Sequence, residues 1–138
     1  MAAMLDVSVE FLTIVVAVHE LAHAYSHLGK DIDGGKWKTG SFAEADLKIV
    51  EGIAQFYTKI VCEKLSNRIP GALTAYTRLM ELQSEPYLVH KDWIQDSKTA
   101  GEIIRASMIE SRCKNITTYE DFKAALTKHR ENIEPSNK

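Results

Sequence analysis

From Val7 to Leu28 the chain runs 22 residues without a glycine or a proline. Asp6 can cap a helix there and Gly29 can end it, so the stretch predicts one long helix. Its apolar part, Phe11-Leu-Thr-Ile-Val-Val-Ala-Val18, is too short to span a bilayer but argues for burial. It runs directly into His19-Glu-Leu-Ala-His23. A buried helix carries imidazoles and a carboxylate only where each has a partner, so this junction either holds something or lies on an exposed edge.

The rest of the chain repeats the helical pattern. Only three prolines and seven glycines occur, mostly between periodic segments. Ser41-Phe-Ala-Glu44 is a capping box and opens a second helix that runs to about Ser66. A third follows Pro70 and ends near Gln83, and Pro86 opens a short fourth through Tyr87 to Gln95. Thr99-Ala-Gly-Glu102 and Thr117-Thr-Tyr-Glu120 are further capping boxes, for helices to about Arg112 and Glu131. Lys30 to Gly40 is a loop with turn chemistry at Asp33-Gly34 and room for a very short hairpin. The fold expected is mainly α, a compact helical domain over residues 1–133 with little or no β-sheet. Residues 134–138 read as a frayed tail.

Bulk properties narrow the class. The apolar share of 45% excludes a disordered chain, and 138 residues suit a single core. A net charge of -2 gives no electrostatic reason to expect a nucleic acid or an anionic membrane as partner. Met1 to Asp6 lacks the basic start of a secretory signal, which reads as an intracellular, cytoplasmic chain. Cys62 and Cys113 lack CxxC spacing and read as reduced structural thiols, a single disulfide being the alternative.

The chemistry lies in His19-Glu-Leu-Ala-His23. Residues four apart on a helix differ by about 40° in azimuth and about 6 Å in rise, so His19 and His23 share a face. Two imidazoles so placed reach one zinc ion, while Glu20 points roughly 100° away, beside the ion rather than on it. This is the HExxH arrangement, in which the glutamate takes a proton from water. Catalytic zinc usually has a third protein ligand. His27 is about 12 Å from His19 along the axis, too far to share that ion. The metzincin pattern wants histidine at the position Gly29 occupies, so it fails. Glu51 is the better candidate. It sits among Ile49, Val50, Ile53, Ala54 and Phe56, where an inward carboxylate needs a partner. The small Gly52 and Ala54, with Ala22 opposite, would let the two helices approach closely.

HELAH followed by Val50-Glu-Gly-Ile-Ala-Gln-Phe-Tyr57 resembles the gluzincin clan of zinc metallopeptidases. The second block is similar to the NEGFA-type glutamate helix of the zinc aminopeptidases, and the chain is about as long as the minigluzincins. The likeness covers Val15 to Tyr57 and implies a compact zincin-like helical domain in which the active-site helix and the glutamate helix pack together. It implies that His19, His23 and Glu51 bind a single zinc ion and that Glu20 polarises the water and shuttles its proton, cleaving a peptide or protein substrate. A further donor, often Tyr or His, steadies the oxyanion in such sites. Tyr87 and His90, three apart on a short helix, are the candidates, with Tyr76 another choice. Two departures stand out. Gluzincins carry a β-sheet before the active-site helix, whereas 18 residues precede His19. The sheet is then absent, reduced to Lys30–Gly40, or part of a missing N-terminal portion. No exopeptidase motif that grips a free amine is found, which favours endopeptidase action. The rival readings are a zinc-binding, non-catalytic helical domain for protein interaction, and a helical interaction protein without metal.

Overall fold

A computed structural model describes residues 7–28, 44–93 and 99–134, with the side chains of residues 27 and 28 set aside. Those residues form a mainly helical, compact fold with no strand among them. The elements are α1 (Val9–Leu28), α2 (Leu47–Lys64), α3 (Pro70–Met80), α4 (Glu85–Leu88), α5 (His90–Trp93), α6 (Ala100–Lys114) and α7 (Tyr119–Ile133). The expected hairpin between Lys30 and Gly40, the Gly29 stop and Pro135 to Lys138 lie outside the described residues. Glu134, assigned to the tail from sequence, accepts a hydrogen bond from the Thr99 hydroxyl. No helix among the described residues is long and apolar enough to cross a membrane.

Several boundaries differ from the sequence reading, each for a local reason. α2 starts at Leu47, because Asp46 is its cap: the carboxylate accepts from Lys48 N at 2.9 Å. The Asp46 amide donates to the Thr117 carbonyl at 2.8 Å, tying the start of α2 to the α6–α7 loop. Ser41, the cap expected from sequence, lies outside the described residues. α3 stops at Met80, where the chain tightens into bonds from Glu81 N to Arg78 O and Leu82 N to Leu79 O ahead of Pro86. The single helix expected from Tyr87 to Gln95 is two separate turns, α4 and α5, divided at Val89. α6 continues two residues past Arg112 and closes on Asn115 in the left-handed conformation, which Asn tolerates. For α7 the cap is Thr118, accepting from Asp121 N, one residue later than the expected box.

α2 is the central element. Ile49, Ile53 and Phe56 pack with Val89, Trp93, Ile103, Met108 and Phe122 in one core. The opposite end of α2 contributes Cys62 to a second core with Val15 of α1 and Ala72, Ala75, Tyr76 and Leu79 of α3. Trp93 anchors the first core: its ring sits 5.1 Å from that of Phe122, and its indole N–H donates to Tyr119 Oη at 3.1 Å. Gly52 faces this tryptophan rather than α1, contrary to the expectation from sequence. A Cβ there would lie 2.5 Å from Trp93 and 2.9 Å from Val89, so the glycine is what lets α5 close on α2. Neither cysteine is in a disulfide: Cys62 is buried and Cys113 exposed.

α1 is apolar almost all round, but only one stripe of it is buried. Val15, Ala22 and Ser26 are covered, whereas Val9, Val16, Leu21 and Tyr25 are exposed. The covered positions recur at helical spacing, and His19 lies four residues after Val15 and three before Ala22 on that same stripe. The face that packs on α2 and α3 is therefore the face that carries the imidazoles.

Candidate metal site

His19 and His23 meet Glu51 across the α1–α2 seam. His19 Nε2 lies 3.0 Å and His23 Nε2 3.1 Å from the same oxygen, Glu51 Oε2, and the two Nε2 atoms are 2.9 Å apart. The rings stand edge to face at 86°. All three side chains are half-buried, at 15%, 18% and 15% exposure for His19, His23 and Glu51. Among the described residues they form a group of metal-ligand type. The sequence expectation of two neighbouring turns of α1 facing an acid on α2 is what the structure contains.

Gln55 was missed from sequence and explains why His19 is oriented as it is. It lies one turn after Glu51 on the same face of α2 and is buried. Its amide N–H₂ faces Met80 Sδ at 3.7 Å, which turns Oε1 toward His19 Nδ1 at 3.2 Å. An amide oxygen only accepts, so Nδ1 carries the hydrogen and Nε2 presents its lone pair. A buried amide in an otherwise apolar helix, four residues from a candidate ligand, was the signal available in the sequence.

The donor set suits a divalent cation. Two imidazole nitrogens and one carboxylate oxygen, all able to offer a lone pair, crowd one point. A zinc ion at about 2.0–2.1 Å from each atom in tetrahedral array spaces its ligands by about 3.3 Å. The observed 2.9–3.1 Å is a few tenths of an ångström tighter, so small rotations of the side chains would admit the ion. Gln55 is the kind of outer partner that orients a ligating histidine. Gln55→Leu is therefore expected to weaken zinc binding by about 10–100-fold while the fold is kept, read by competition with a chromogenic chelator.

A cavity of about 220 Å³ opens beside His19, lined by Val15, Val16, Glu20, Gln55, Leu79, Gln83 and Tyr87. Glu20 is exposed and shares this cavity with His19 without belonging to the three-ligand group. The Tyr87 ring stands 6.1 Å from that of His19. Partial burial, and then the charges of Glu51 and Glu20, raise its phenol above the ordinary value, so it keeps its proton and can donate. Tyr87 thus reaches the site. His90 does not: it is completely buried, and its Nε2 lies 2.5 Å from Tyr76 Oη. Tyr76 is buried with it, behind Val15 and Leu79 in their shared core, and does not itself line the cavity. The side chain of His27 is outside those described.

Burial, and then Lys91, push His90 down to about 4. The unfolded chain protonates the same group near the ordinary value of 6.5, so as pH falls below 6.5 the unfolded state binds the extra proton first. Stability due to neutral His90 is thus complete above pH 6.5 and is lost as pH falls toward about 4, by about 3 kcal/mol at most. Glu110 is held down to about 2 by its hydrogen bonds with Lys114 and Lys128, so its contribution begins to be lost as pH falls below the ordinary 4.5 and is gone near 2. Denaturant unfolding of metal-free protein between pH 6.5 and 4.5 is expected to show this slope, and His90→Gln to flatten it. Equal slopes would refute it.

The chain matches no known family model, no curated protein and no solved structure, so the case for a function rests on the arrangement of His19, Glu20, His23, Glu51, Gln55 and Tyr87.

Proposed function

We propose that this chain is a zinc metallopeptidase of the gluzincin type, hydrolysing peptide bonds in peptide or protein substrates. The observation that carries the proposal is the convergence of His19, His23 and Glu51 on one point, at the edge of a cavity that Glu20 and Tyr87 also line. His19, His23 and Glu51 would hold one zinc ion, with Gln55 fixing the tautomer of His19. The chemistry a bound zinc supplies is polarisation of a carbonyl and acidification of a water. Glu20 takes the proton of the attacking water and passes it to the leaving amine. Tyr87 donates its phenol hydrogen to the oxygen that gains charge as the carbonyl becomes tetrahedral. Val15, Val16 and Leu79 give the cavity an apolar wall, suited to an uncharged side chain next to the cleaved bond.

The test is metal analysis of the purified protein together with cleavage of a quenched-fluorescence peptide library. About one zinc per chain is expected, with cleavage that a chelator abolishes and added zinc restores. A zinc content near zero that added zinc does not raise would defeat the proposal. A second reading, a zinc-holding module for protein interaction, is favoured by the exposed apolar side chains of Leu21 and Tyr25, one turn apart on α1. It predicts the same zinc content with no cleavage of any library peptide.

A further inference from the structure

Gly52 sits in α2 between two residues of the candidate site, directly after Glu51 and three before Gln55. Its open side is filled by the chain that follows Tyr87. A Cβ at this position would meet the Trp93 ring at 2.5 and 2.9 Å and a Val89 methyl at 2.9 Å. Contacts that short are not sustained, so a larger residue here would drive the two segments apart. Both neighbours are backed by other elements. Val89 and Trp93 are buried in the first core, the Trp93 indole donates to Tyr119, and the Trp93 carbonyl accepts from Arg130 at 2.9 Å. The glycine is therefore pressed against a wall that does not yield easily.

Tyr87 depends on that contact. α4 is a single turn, Glu85–Leu88, with no fully buried side chain, and Ser84 at its N-cap makes no side-chain capping bond. One helical turn is not stable by itself. The ion pair from Glu85 to Lys48 of α2, at 3.2 Å, leaves Glu85 largely exposed and adds little. The segment is anchored by its continuation. Leu88 packs against the second core and Val89 enters the first, so the chain straddles α2 with Tyr87 at the cavity. The Tyr87 ring then stands 6.1 Å from that of His19.

We infer that Gly52 is a positioning residue: with no side chain there, Val89 and Trp93 seat directly on α2 and so bring the phenol of Tyr87 beside His19. One turn of α2 then supplies a candidate ligand in Glu51, the partner of His19 in Gln55, and in Gly52 the seat for the proposed oxyanion donor. The consequence for rate rests on the peptidase reading; the consequence for geometry does not.

Gly52→Ala is the sharpest probe, because it adds one methyl group at the contact and changes no charge. In metal-free protein, nuclear Overhauser contacts between the Tyr87 and His19 ring protons are expected in wild type. They should weaken by about threefold or more in Gly52→Ala, since a methyl added to filled space shifts the backbone. Ile103→Ala loosens the same core from α6 and should leave them within about twofold of wild type, because the surroundings of a cavity relax only in part. In the zinc-loaded enzyme, Gly52→Ala should lower kcat by about tenfold to a hundredfold with KM within about twofold, the cost of a misplaced group. If Gly52 works through Tyr87, the double variant Gly52→Ala/Tyr87→Phe is no slower than Tyr87→Phe alone, and zinc affinity in Gly52→Ala stays within about threefold of wild type. Ring contacts unchanged in a folded Gly52→Ala, an equal loss in Ile103→Ala, or losses that multiply in the double variant overturn the inference. So does a larger fall in zinc affinity, which would mean that Gly52 acts through Glu51. Should Gly52→Ala fail to fold, Val89→Ala, which removes the side chain seated on the glycine, is read in the same way. If wild type cleaves no peptide, the peptidase reading fails, while the ring contacts still decide this inference.

Discussion

Glu20→Gln is expected to keep its zinc and to lose turnover by about 10²–10⁴-fold, the contribution typical of a positioned general base. The substitution keeps the shape of the side chain and removes its ability to take a proton. Glu20 is exposed on the cavity side of α1, apart from the group formed by His19, His23 and Glu51, so the metal site has no reason to change. The measurement is kcat/KM on a peptide found in the library screen, alongside zinc content of the same preparation. Activity equal to wild type would remove Glu20 from the chemistry and the enzyme proposal with it. Loss of zinc would make Glu20 a ligand instead.

Glu51→Ala should weaken zinc binding by more than about a hundredfold, since the loss of a mere outer partner already costs about 10–100-fold. The carboxylate is the only acidic group among the three candidate ligands, and it contacts both imidazoles through one oxygen. Its loss removes the charge that offsets a divalent ion and the sole ligand supplied by α2. Ligand binding to the folded state alone raises stability by mass action. Added zinc is therefore expected to raise the melting temperature of wild type and to leave that of Glu51→Ala where it was. A zinc-induced shift of wild-type size in the variant would mean that a different residue completes the site.

The helical character was readable because glycine and proline are scarce and fall between periodic segments. His19, His23 and Glu51 were readable because helix geometry fixes which residues share a face, and a carboxylate inside an apolar run needs a partner. What sequence spacing does not carry is which of several local options wins. Asp46 rather than Ser41 caps α2 because its amide also has a partner in the distant Thr117 carbonyl, a tertiary contact. The roles of Tyr87 and His90 diverge for a similar reason. Three residues apart, they were placed together on one helix, but Val89 divides that helix into two turns. One ring then faces the cavity and the other enters the core. Gly52 was assigned to the α1 contact because small residues permit close approach; the neighbour that approaches is Trp93, more than 40 residues away in sequence. Gln55 was visible in principle, one turn from Glu51, but an amide carries no charge to draw attention.

The two halves of the site differ in how firmly they are seated. α2 is gripped by both cores, whereas α1 among its described side chains buries only Val15, Ala22 and Ser26 completely. An ion ligated from both helices would act as a staple across that seam. Its residence time would then be governed less by the strength of individual ligand bonds than by how often the shallower helix lifts away and carries both imidazoles with it.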